Sequence, residues 1–275
     1  MNNIKVTFTN PSSTVDKLRP IDDTFMQKLG KDRDFCQELI RIVLGNPHIE
    51  VVENITQDAL HNIDTRSITI DLKCQDEKGT IFGVEVQKEN DDDHQKRVRY
   101  NSSCLQVQSL QKGDKFRDLP DVCMIFISER DFLRRGNVIY HIDRVLREMG
   151  EVIDNGYQEI YVNAEIGDGS NLAEYMKIFK SNVVCSNTKF PIICDLTDYY
   201  KNGKGRDAMC QAVEEYAKEC GELNRREGRL EGRLEGELKG RILTYAELGF
   251  SINDISEKMN LSVDEVQDVL DGAVM

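Results

Sequence analysis

Two neighbouring segments of the chain alternate strictly between apolar and polar positions. The apolar residues are Ile68, Ile70 and Leu72 in SITIDLKC, and Phe82, Val84 and Val86 in TIFGVEVQKE. A period of two predicts a β-strand with one apolar face, and the intervening QDEKGT predicts a turn. The two segments therefore predict a pair of strands whose apolar residues share one side of a sheet.

The other segments show helical spacing or short buried runs. We predict helices in DDTFMQKLG, in DFCQELIRIVLG, from His94 to about Leu110, near IDRVLREMG and in NLAEYMKIFK. We predict strands in HIEVVENI, VCMIFIS, QEIYVNAEI and FPIICDL. Asp22 or Asp23 would cap the first helix, and Gly45 would end the second. The order of elements up to VCMIFIS predicts an α/β fold, with a mixed β-sheet core flanked by helices.

Changes in composition divide the chain into four parts. We predict an N-terminal arm at 1–20, a sheet domain at 21–204, a long helix at 205–248 and a small helical module at 249–275. In the last part, Ser251 with Asp254 and Ser262 with Glu265 have the spacing of capped helix starts. The sequence thus predicts one α/β domain with a helical C-terminal extension.

The charge balance restricts the possible partners. The 275 residues are 39% hydrophobic and 31% charged, with a formal net charge of −13. A uniformly negative surface repels phosphate, so a general nucleic-acid coat is disfavoured and DNA binding would need a local basic patch. The chain has neither a long apolar run nor a secretory leader pattern, so we expect a cytoplasmic protein with no membrane partner.

Eight cysteines are scattered through the sequence without a CxxC pair or a Cys/His cluster. Most of them lie inside apolar or amphipathic runs. We therefore expect reduced thiols that contribute to packing, and neither disulfides nor a zinc site.

Each of the two alternating strands carries one acid, Asp71 and Glu85, on the side opposite its apolar residues. Cross-strand neighbours on one face lie about 5 Å apart, and two carboxylates at that distance repel unless a cation or proton separates them. A hard divalent cation such as Mg²⁺ suits this oxygen pair. The alternative is a solvent-exposed face on which the acids only increase solubility.

The order of these acids resembles a known family. Asp71 followed by Glu85-Val86-Gln87 resembles the core of the PD-(D/E)XK nucleases, and in particular their recombination-promoting nuclease and transposase branch. Asp22 and Phe25, an arginine-rich helix, and the repeat EGRL-EGRL-EGEL-KGRI before a small helical unit add to the resemblance. It implies a restriction-endonuclease-like fold and cleavage of DNA phosphodiesters with Mg²⁺, or Mn²⁺, held by Asp71 and Glu85.

The sequence departs from the wider superfamily at the third motif position. A lysine usually stands two residues after the second acid, whereas this chain has Gln87, as the branch prefers. Glutamine is neutral, so charge stabilisation would come from another residue. By strand alternation Lys73 shares the face of Asp71 and Lys88 does not, so we favour Lys73 as the replacement. The acid contributed by the first helices stays open between Asp22, Asp23 and Glu38.

The helix predicted after the second acid carries the charge that DNA binding requires. Basic residues outnumber acids between His94 and Arg117. The basic residues are Lys96, Arg97, Arg99, Lys112, Lys115 and Arg117. Arginine matches phosphate through two parallel hydrogen bonds. We predict that Lys96, Arg97, Arg99 and Tyr100 contact DNA, with Tyr100 alternatively packing and Arg97 alternatively pairing with the preceding aspartates.

The C-terminal module resembles a small helix-turn-helix. Its second helix presents Asp264, Glu265, Gln267 and Asp268, and acids facing phosphates make major-groove binding unfavourable. Contact with another subunit or a protein partner is at least as compatible with this surface. The glycines of the preceding repeat weaken an isolated helix, so we predict a homo-oligomer through this region. A non-catalytic DNA- or protein-binding module that retains the nuclease fold is the second functional hypothesis.

Overall fold

Strands and helices alternate along the first part of the chain, and helices alone follow. The computed structural model describes residues 11–60, 68–88 and 93–272. Its helices are α1 Pro11–Lys17, α2 Asp23–Leu29, α3 Arg33–Leu44, α4 His94–Gln108, α5 Asn171–Phe179, α6 Pro191–Lys201, α7 Arg206–Glu247, α8 Ile252–Met259 and α9 Val263–Gly272. Its strands are β1 Val51–Leu60, β2 Ile68–Asp76, β3 Ile81–Gln87, β4 Val122–Ser128, β5 Ile139–Ile142, β6 Arg144–Leu146, β7 Glu151–Ile153 and β8 Tyr157–Asn163.

Six strands form one mixed sheet in the order β1-β2-β3-β4-β8-β5. The pairs β1–β2, β2–β3 and β5–β8 are antiparallel, and β3–β4 and β4–β8 are parallel. The central strands β3 and β4 are buried along nearly their whole length, because helices cover both faces. The predicted α/β class is confirmed.

Each face of the sheet has its own apolar cluster. The larger cluster joins alternate residues of β3 and β4, such as Val84 and Ile125, to Phe25 of α2, Leu39 of α3 and Tyr175 of α5. The smaller cluster joins the other residues of β4 to α4 and is formed by Leu60, Ile70, Ile81, Val98, Cys104, Leu105, Val122, Met124, Phe126 and Tyr161. Among the described helices, α4 is therefore the one that covers the smaller cluster.

Strand β2 changes face at Asp71. Ile70 belongs to the smaller cluster, whereas Leu72 belongs to the larger one. The prediction that both residues share one apolar face is therefore wrong. On the adjacent strand, Gln57 stands across from Asp71 and has a left-handed φ of 53°, an irregularity that strict alternation cannot show. This local change of backbone direction leaves the Asp71 side chain at the boundary between the two faces.

Two element predictions are wrong. The segment near IDRVLREMG is not a helix: Arg144–Leu146 pairs with Glu151–Ile153 in a separate two-stranded sheet, with Gly150 at a positive φ in the turn. The segment FPIICDL is not a strand, since it begins α6. Pro191 is favourable at the first helical position, and the Glu38 carboxylate accepts the N–H groups of Ile192 and Ile193.

The expectation of reduced thiols is wrong for one pair. Cys185 and Cys194 form a disulfide, because the turn before α6 brings their Cα atoms to 5.3 Å. The other described cysteines form no disulfide, and Cys36, Cys74, Cys104 and Cys123 are buried, as packing thiols should be.

The chain divides into two compact units, one up to Glu214 and one from Glu215. In the first unit, α1 buries Val15 in the larger cluster, so the segment from Pro11 is part of that core. Residues 1–10 of the arm predicted at 1–20 lie outside the described residues. In the second unit, Ile242 of α7 packs on Ile255 and Val266 of α8 and α9, and Ser251 and Ser262 make the predicted caps. No helix of the described residues has the length and apolar content of a membrane span.

Candidate active site

Asp71 lies where β2 separates from β3. The ladder pairs Leu72 with Val84, so Asp71 and Glu85 occupy the next opposing positions. The Asp71 Oδ2 atom accepts the backbone N–H of Val86 at 2.9 Å, and its Oδ1 atom accepts the Gln57 amide at 3.2 Å. In a regular ladder the N–H of Val86 would donate to a backbone carbonyl. Here it donates to the Asp71 carboxylate, and this hydrogen bond fixes the orientation of the carboxylate.

Glu85 points from β3 towards α4 and is only 8% exposed. Its Oε1 atom accepts the side-chain amide of Asn101, itself buried in α4, at 3.1 Å. The face that carries this acid is therefore covered, and the alternative of a solvated face whose acids only increase solubility is wrong. A buried carboxylate with one amide donor retains lone pairs for a further ligand.

Helix α4 and strand β3 match each other in spacing. Arg97 donates to Gln87 Oε1 at 3.2 Å, and Asn101 donates to Glu85. Four helical residues advance about 6 Å, and two strand residues advance about 6.6 Å. Two contacts one turn apart on α4 therefore fit two contacts on the same face of β3.

The electrostatics of the site disfavour two ionised acids. Burial raises the pKa of Asp71 to about 6, with a further contribution from the charge of Asp23. Burial and then the charge of Asp71 raise the pKa of Glu85 well above its ordinary value. The positive charge of Arg97 acts in the opposite sense on both groups. The pair therefore carries negative charge that Arg97 offsets only in part.

The acids of the first helices separate into three roles. Asp22 bonds Arg19 at 3.0 Å and Lys88 at 3.2 Å, and despite the opposing effect of burial these contacts lower its pKa. Asp23 is near enough to Asp71 to influence its titration. Glu38 caps the start of α6, and this contact involves neither Asp71 nor Glu85. Asp23 is thus the acid of the first helices that acts electrostatically on the strand pair.

The two candidate lysines lie on different sides of the sheet. Lys73 pairs with Gly83 across the ladder, on the α4 face, and its Nζ lies 3.3 Å from Asp58. Lys88 instead reaches Asp22, and its Nζ is 4.0 Å from Asp23. Each ammonium is therefore engaged by a carboxylate outside the Asp71–Glu85 pair.

A cleft of about 670 Å³ opens along α4. Its lining includes Glu85 together with the four side chains predicted to bind DNA, which are Lys96, Arg97, Arg99 and Tyr100. Arg97 also bonds Asp93 at 3.4 Å, so the alternative pairing with the preceding aspartates is present beside its contact with Gln87. A buried acid and a basic rim share one cleft, an arrangement suited to a phosphate backbone.

Two residues of the site escaped the sequence analysis. Gln57 and Asn101 hold Asp71 and Glu85 by side-chain hydrogen bonds. Asn101 could have been found as a polar residue four positions after Arg97 on the inward side of α4. Gln57 carries no such signal, because its contact depends on a left-handed backbone conformation inside a strand.

Oxygen atoms dominate the possible ligands in this site. Among the residues described, no group of three or more histidine, cysteine, aspartate or glutamate side chains is arranged to hold a metal ion. The candidate metal ligands in this site are the two carboxylates of Asp71 and Glu85. This is a minimal donor set of the kind that Mg²⁺ completes with water and substrate phosphate.

Comparison with known families identifies the chain. Residues 26–166, just over half of the sequence, match the family described as PD-(D/E)XK nuclease family transposase. The matched segment contains Asp71, Glu85, Gln87 and all of α4, while Asp22 and Phe25 precede it. Neither the curated proteins nor the solved structures include a match. The six-stranded mixed sheet with its flanking helices is a restriction-endonuclease-like core, and the chain belongs to the PD-(D/E)XK nuclease family transposases.

Proposed function

We propose that this chain is a divalent-metal-dependent DNA endonuclease that hydrolyses phosphodiester bonds during recombination or transposition. The observation that carries the proposal is the buried Glu85, which opposes Asp71 and lies in the same cleft as Lys96, Arg97 and Arg99. The family supplies the nuclease assignment and the transposase context.

The two acids fit a hard divalent cation. Burial raises the pKa of both acids, and the charge of Asp71 further raises the pKa of Glu85. A cation between the two carboxylates would favour their charged forms. Asp71 and Glu85 would hold the ion, with Mg²⁺ preferred and Mn²⁺ accepted because both take oxygen ligands. When bound, the ion supplies electrostatic stabilisation of the charge that develops on the phosphoryl group.

The protein's own groups position the substrate. Arg97, with Lys96 and Arg99 on the same cleft, would hold the phosphates beside the scissile bond. Gln87 accepts from Arg97, which leaves its amide N–H groups to donate to an attacking water or a phosphate oxygen. Asn101 and Gln57 keep the two carboxylates in place. Hydrogen bonding and arginine charge thus take over part of the work of the usual lysine.

Lys73→Ala is expected to lower the rate of metal-dependent cleavage by about 10- to 100-fold, the usual contribution of one transition-state donor. Lys73 shares the α4 face with Glu85, and its ammonium would turn from Asp58 to the phosphate when DNA binds. Lys88→Ala is the matched control, and its rate should stay closer to that of the parent, since its contacts are with Asp22 and Asp23. Rates are compared at saturating Mg²⁺ after folding is checked. A parental rate for Lys73→Ala would leave Gln87 or Arg97 in the role.

The central test is cleavage of plasmid DNA. Supercoiled plasmid incubated with purified protein and Mg²⁺ or Mn²⁺ should be nicked or linearised, and EDTA should stop the reaction. Asp71→Ala, purified in the same way, should be inactive, which excludes a contaminating nuclease. If the protein binds the plasmid without cutting it under either ion, the chain is a binding module that retains the nuclease fold.

A further inference from the structure

One aromatic side chain between α4 and β4 is held almost entirely in solvent. Phe116 is 89% exposed, the largest fraction among the exposed large apolar side chains of the described residues. It opens a short 3₁₀ helix, Phe116–Asp118, so it lies on a folded turn. Single apolar residues are common at protein surfaces, and exposure alone therefore indicates no ligand. A binding role requires suitable groups around the ring.

Hydrogen bonds hold the backbone that presents this ring. The N–H of Asp118 donates to the carbonyl of Lys115 at 2.8 Å and closes the turn around Phe116. The N–H of Ile81 on β3 donates to the carbonyl of Asp121 at 2.8 Å, which ties the end of the segment to the sheet. The ring therefore projects from a backbone that is already ordered, and this lowers the entropic cost of binding a ligand.

Positive charge predominates in this segment, the basic turn at 111–118. Lys115 and Arg117 are the neighbours of the ring in sequence, Lys112 precedes them, and all three are exposed. None of the three cations pairs with a carboxylate of the described residues. Two acids share the turn, and one of them, Asp114, accepts the backbone N–H of the first residue of the turn at 2.7 Å. The three cations can therefore bind the phosphate groups of a ligand.

The basic turn continues α4, a helix that carries no acid. No aspartate or glutamate occurs from 94 to 113, and the exposed Val107 follows the cleft residues along the helix. A helix rises about 1.5 Å per residue, so Arg99 in the cleft and Gln108 at the end of α4 are about 14 Å apart along the axis. Duplex DNA advances about 3.4 Å per base pair, so a DNA that lies along α4 would meet the basic turn about four base pairs from the cleft.

The ring and the cations together match a nucleic acid with unpaired bases. Proteins that bind single strands combine a basic surface with aromatic side chains on which bases stack. In an intact duplex both faces of each base are covered by its neighbours, so a ring can enter only as a wedge that unstacks a base step. An unpaired base presents its face without that cost. The basic turn thus favours DNA in which the pairing is interrupted.

We propose that Phe116 stacks on an unpaired base of the DNA, while Lys112, Lys115 and Arg117 hold the phosphates on either side of it. The preferred substrate is then a duplex with unpaired bases about four base pairs from the scissile bond, such as a gapped DNA. This inference rests on the proposed function for DNA binding, and it requires no cleavage.

Tryptophan fluorescence tests the stacking contact. The chain contains no tryptophan, so Phe116→Trp introduces one reporter at the position of the ring. The full chain in EDTA is titrated with a duplex that contains a short single-stranded gap, and with the intact duplex of the same sequence. The gapped DNA should quench the fluorescence strongly and the intact duplex weakly, because a base stacks on the indole only where the pairing is interrupted.

Val183→Trp is the matched control for this reporter. Val183 is 68% exposed and lies between α5 and α6, which pack on the larger cluster, away from α4. Its fluorescence should respond to neither DNA. Normal binding of the gapped DNA without quenching at position 116, or equal quenching of the two reporters, overturns the stacking contact and leaves the proposed nuclease unaffected. If anisotropy of labelled DNA shows binding to neither DNA, the proposed function fails together with this inference.

Affinities distinguish stacking from a general apolar contact. The parent is expected to bind the gapped DNA more tightly than the intact duplex. Phe116→Ala should weaken binding to the gapped DNA by about ten-fold, the contribution of one stacked base, and leave binding to the intact duplex nearly unchanged. Phe116→Tyr retains an aromatic ring and should keep the parental preference. Equal weakening on both DNAs, or the same loss for Phe116→Tyr as for Phe116→Ala, contradicts the proposal.

Discussion

Asp71→Asn is expected to lower metal-dependent cleavage by at least about a thousand-fold, since it removes one of the two carboxylates proposed to hold the ion. In metal-free protein at pH 8, the same change should raise the melting temperature by several degrees. Burial, then the charge of Asp23, raises the pKa of Asp71 to about 6 from its ordinary 3.8. The favourable contribution of this group is therefore complete below about pH 3.8 and is lost as the pH rises through about 6.

The measurement is thermal unfolding at pH 5 and pH 8 with and without Mg²⁺, beside cleavage assays. The stability gain of Asp71→Asn should be larger at pH 8 than at pH 5, and Mg²⁺ should stabilise the parent more than the variant. Asp34→Asn, which alters an exposed acid of α3, is the control and should show neither effect. An equal gain at both pH values would show that the ionised carboxylate is not the source of the instability.

Arg97→Ala is expected to reduce the rate of cleavage by about 100-fold. It should also reduce by about one the number of counterions released on DNA binding, as measured from the salt dependence of the affinity. Arg97 is the cation whose charge acts on both Asp71 and Glu85, and it also bonds Gln87. Its removal would delete the proposed phosphate contact and a positive charge beside the two acids, so both binding and rate should fall.

Lys96→Ala separates these two effects. Lys96 lines the same cleft but is exposed, so it should reduce the salt slope in a similar way and leave the rate at saturating DNA nearly unchanged. Binding is measured by fluorescence anisotropy over a range of salt concentrations, and rates under single-turnover conditions. If Arg97→Ala and Lys96→Ala have the same rate at saturation, Arg97 contributes affinity and no catalysis.

The sequence predicts the part of the fold that regular periodicity encodes. Strand β3 alternates over its whole length, so the placement of Glu85 and Gln87 on one face follows directly and agrees with their contacts to α4. Helix α3 likewise ends at Gly45 in the left-handed conformation, as its spacing and terminal glycine predict. The family resemblance, rather than periodicity, indicated that Asp71 and Glu85 belong to one site.

The rest depends on contacts between residues distant in sequence. Asp71 follows an alternating pattern in the sequence, yet its strand changes face there, opposite Gln57 of β1, which adopts a left-handed φ. The helix at Pro191–Lys201 forms because Glu38 of α3 caps it, more than 150 residues away in the chain. Local composition contains neither partner, so tertiary contacts override the local preference at both places.

Gly83 sets the thickness of the layer between α4 and the sheet. A Cβ at this position would lie 2.5 Å from the sulfur of Met124 and 2.9 Å from a methyl group of Leu105 on α4. Both neighbours are buried, so a larger residue would act as a wedge that lifts the helix from β3. Asn101 and Arg97 would then withdraw together from Glu85 and Gln87. Because Gly83 has no side chain, the backbones of α4 and β3 can approach closely. This short backbone separation is what lets side chains of the cationic helix bond the acidic strand.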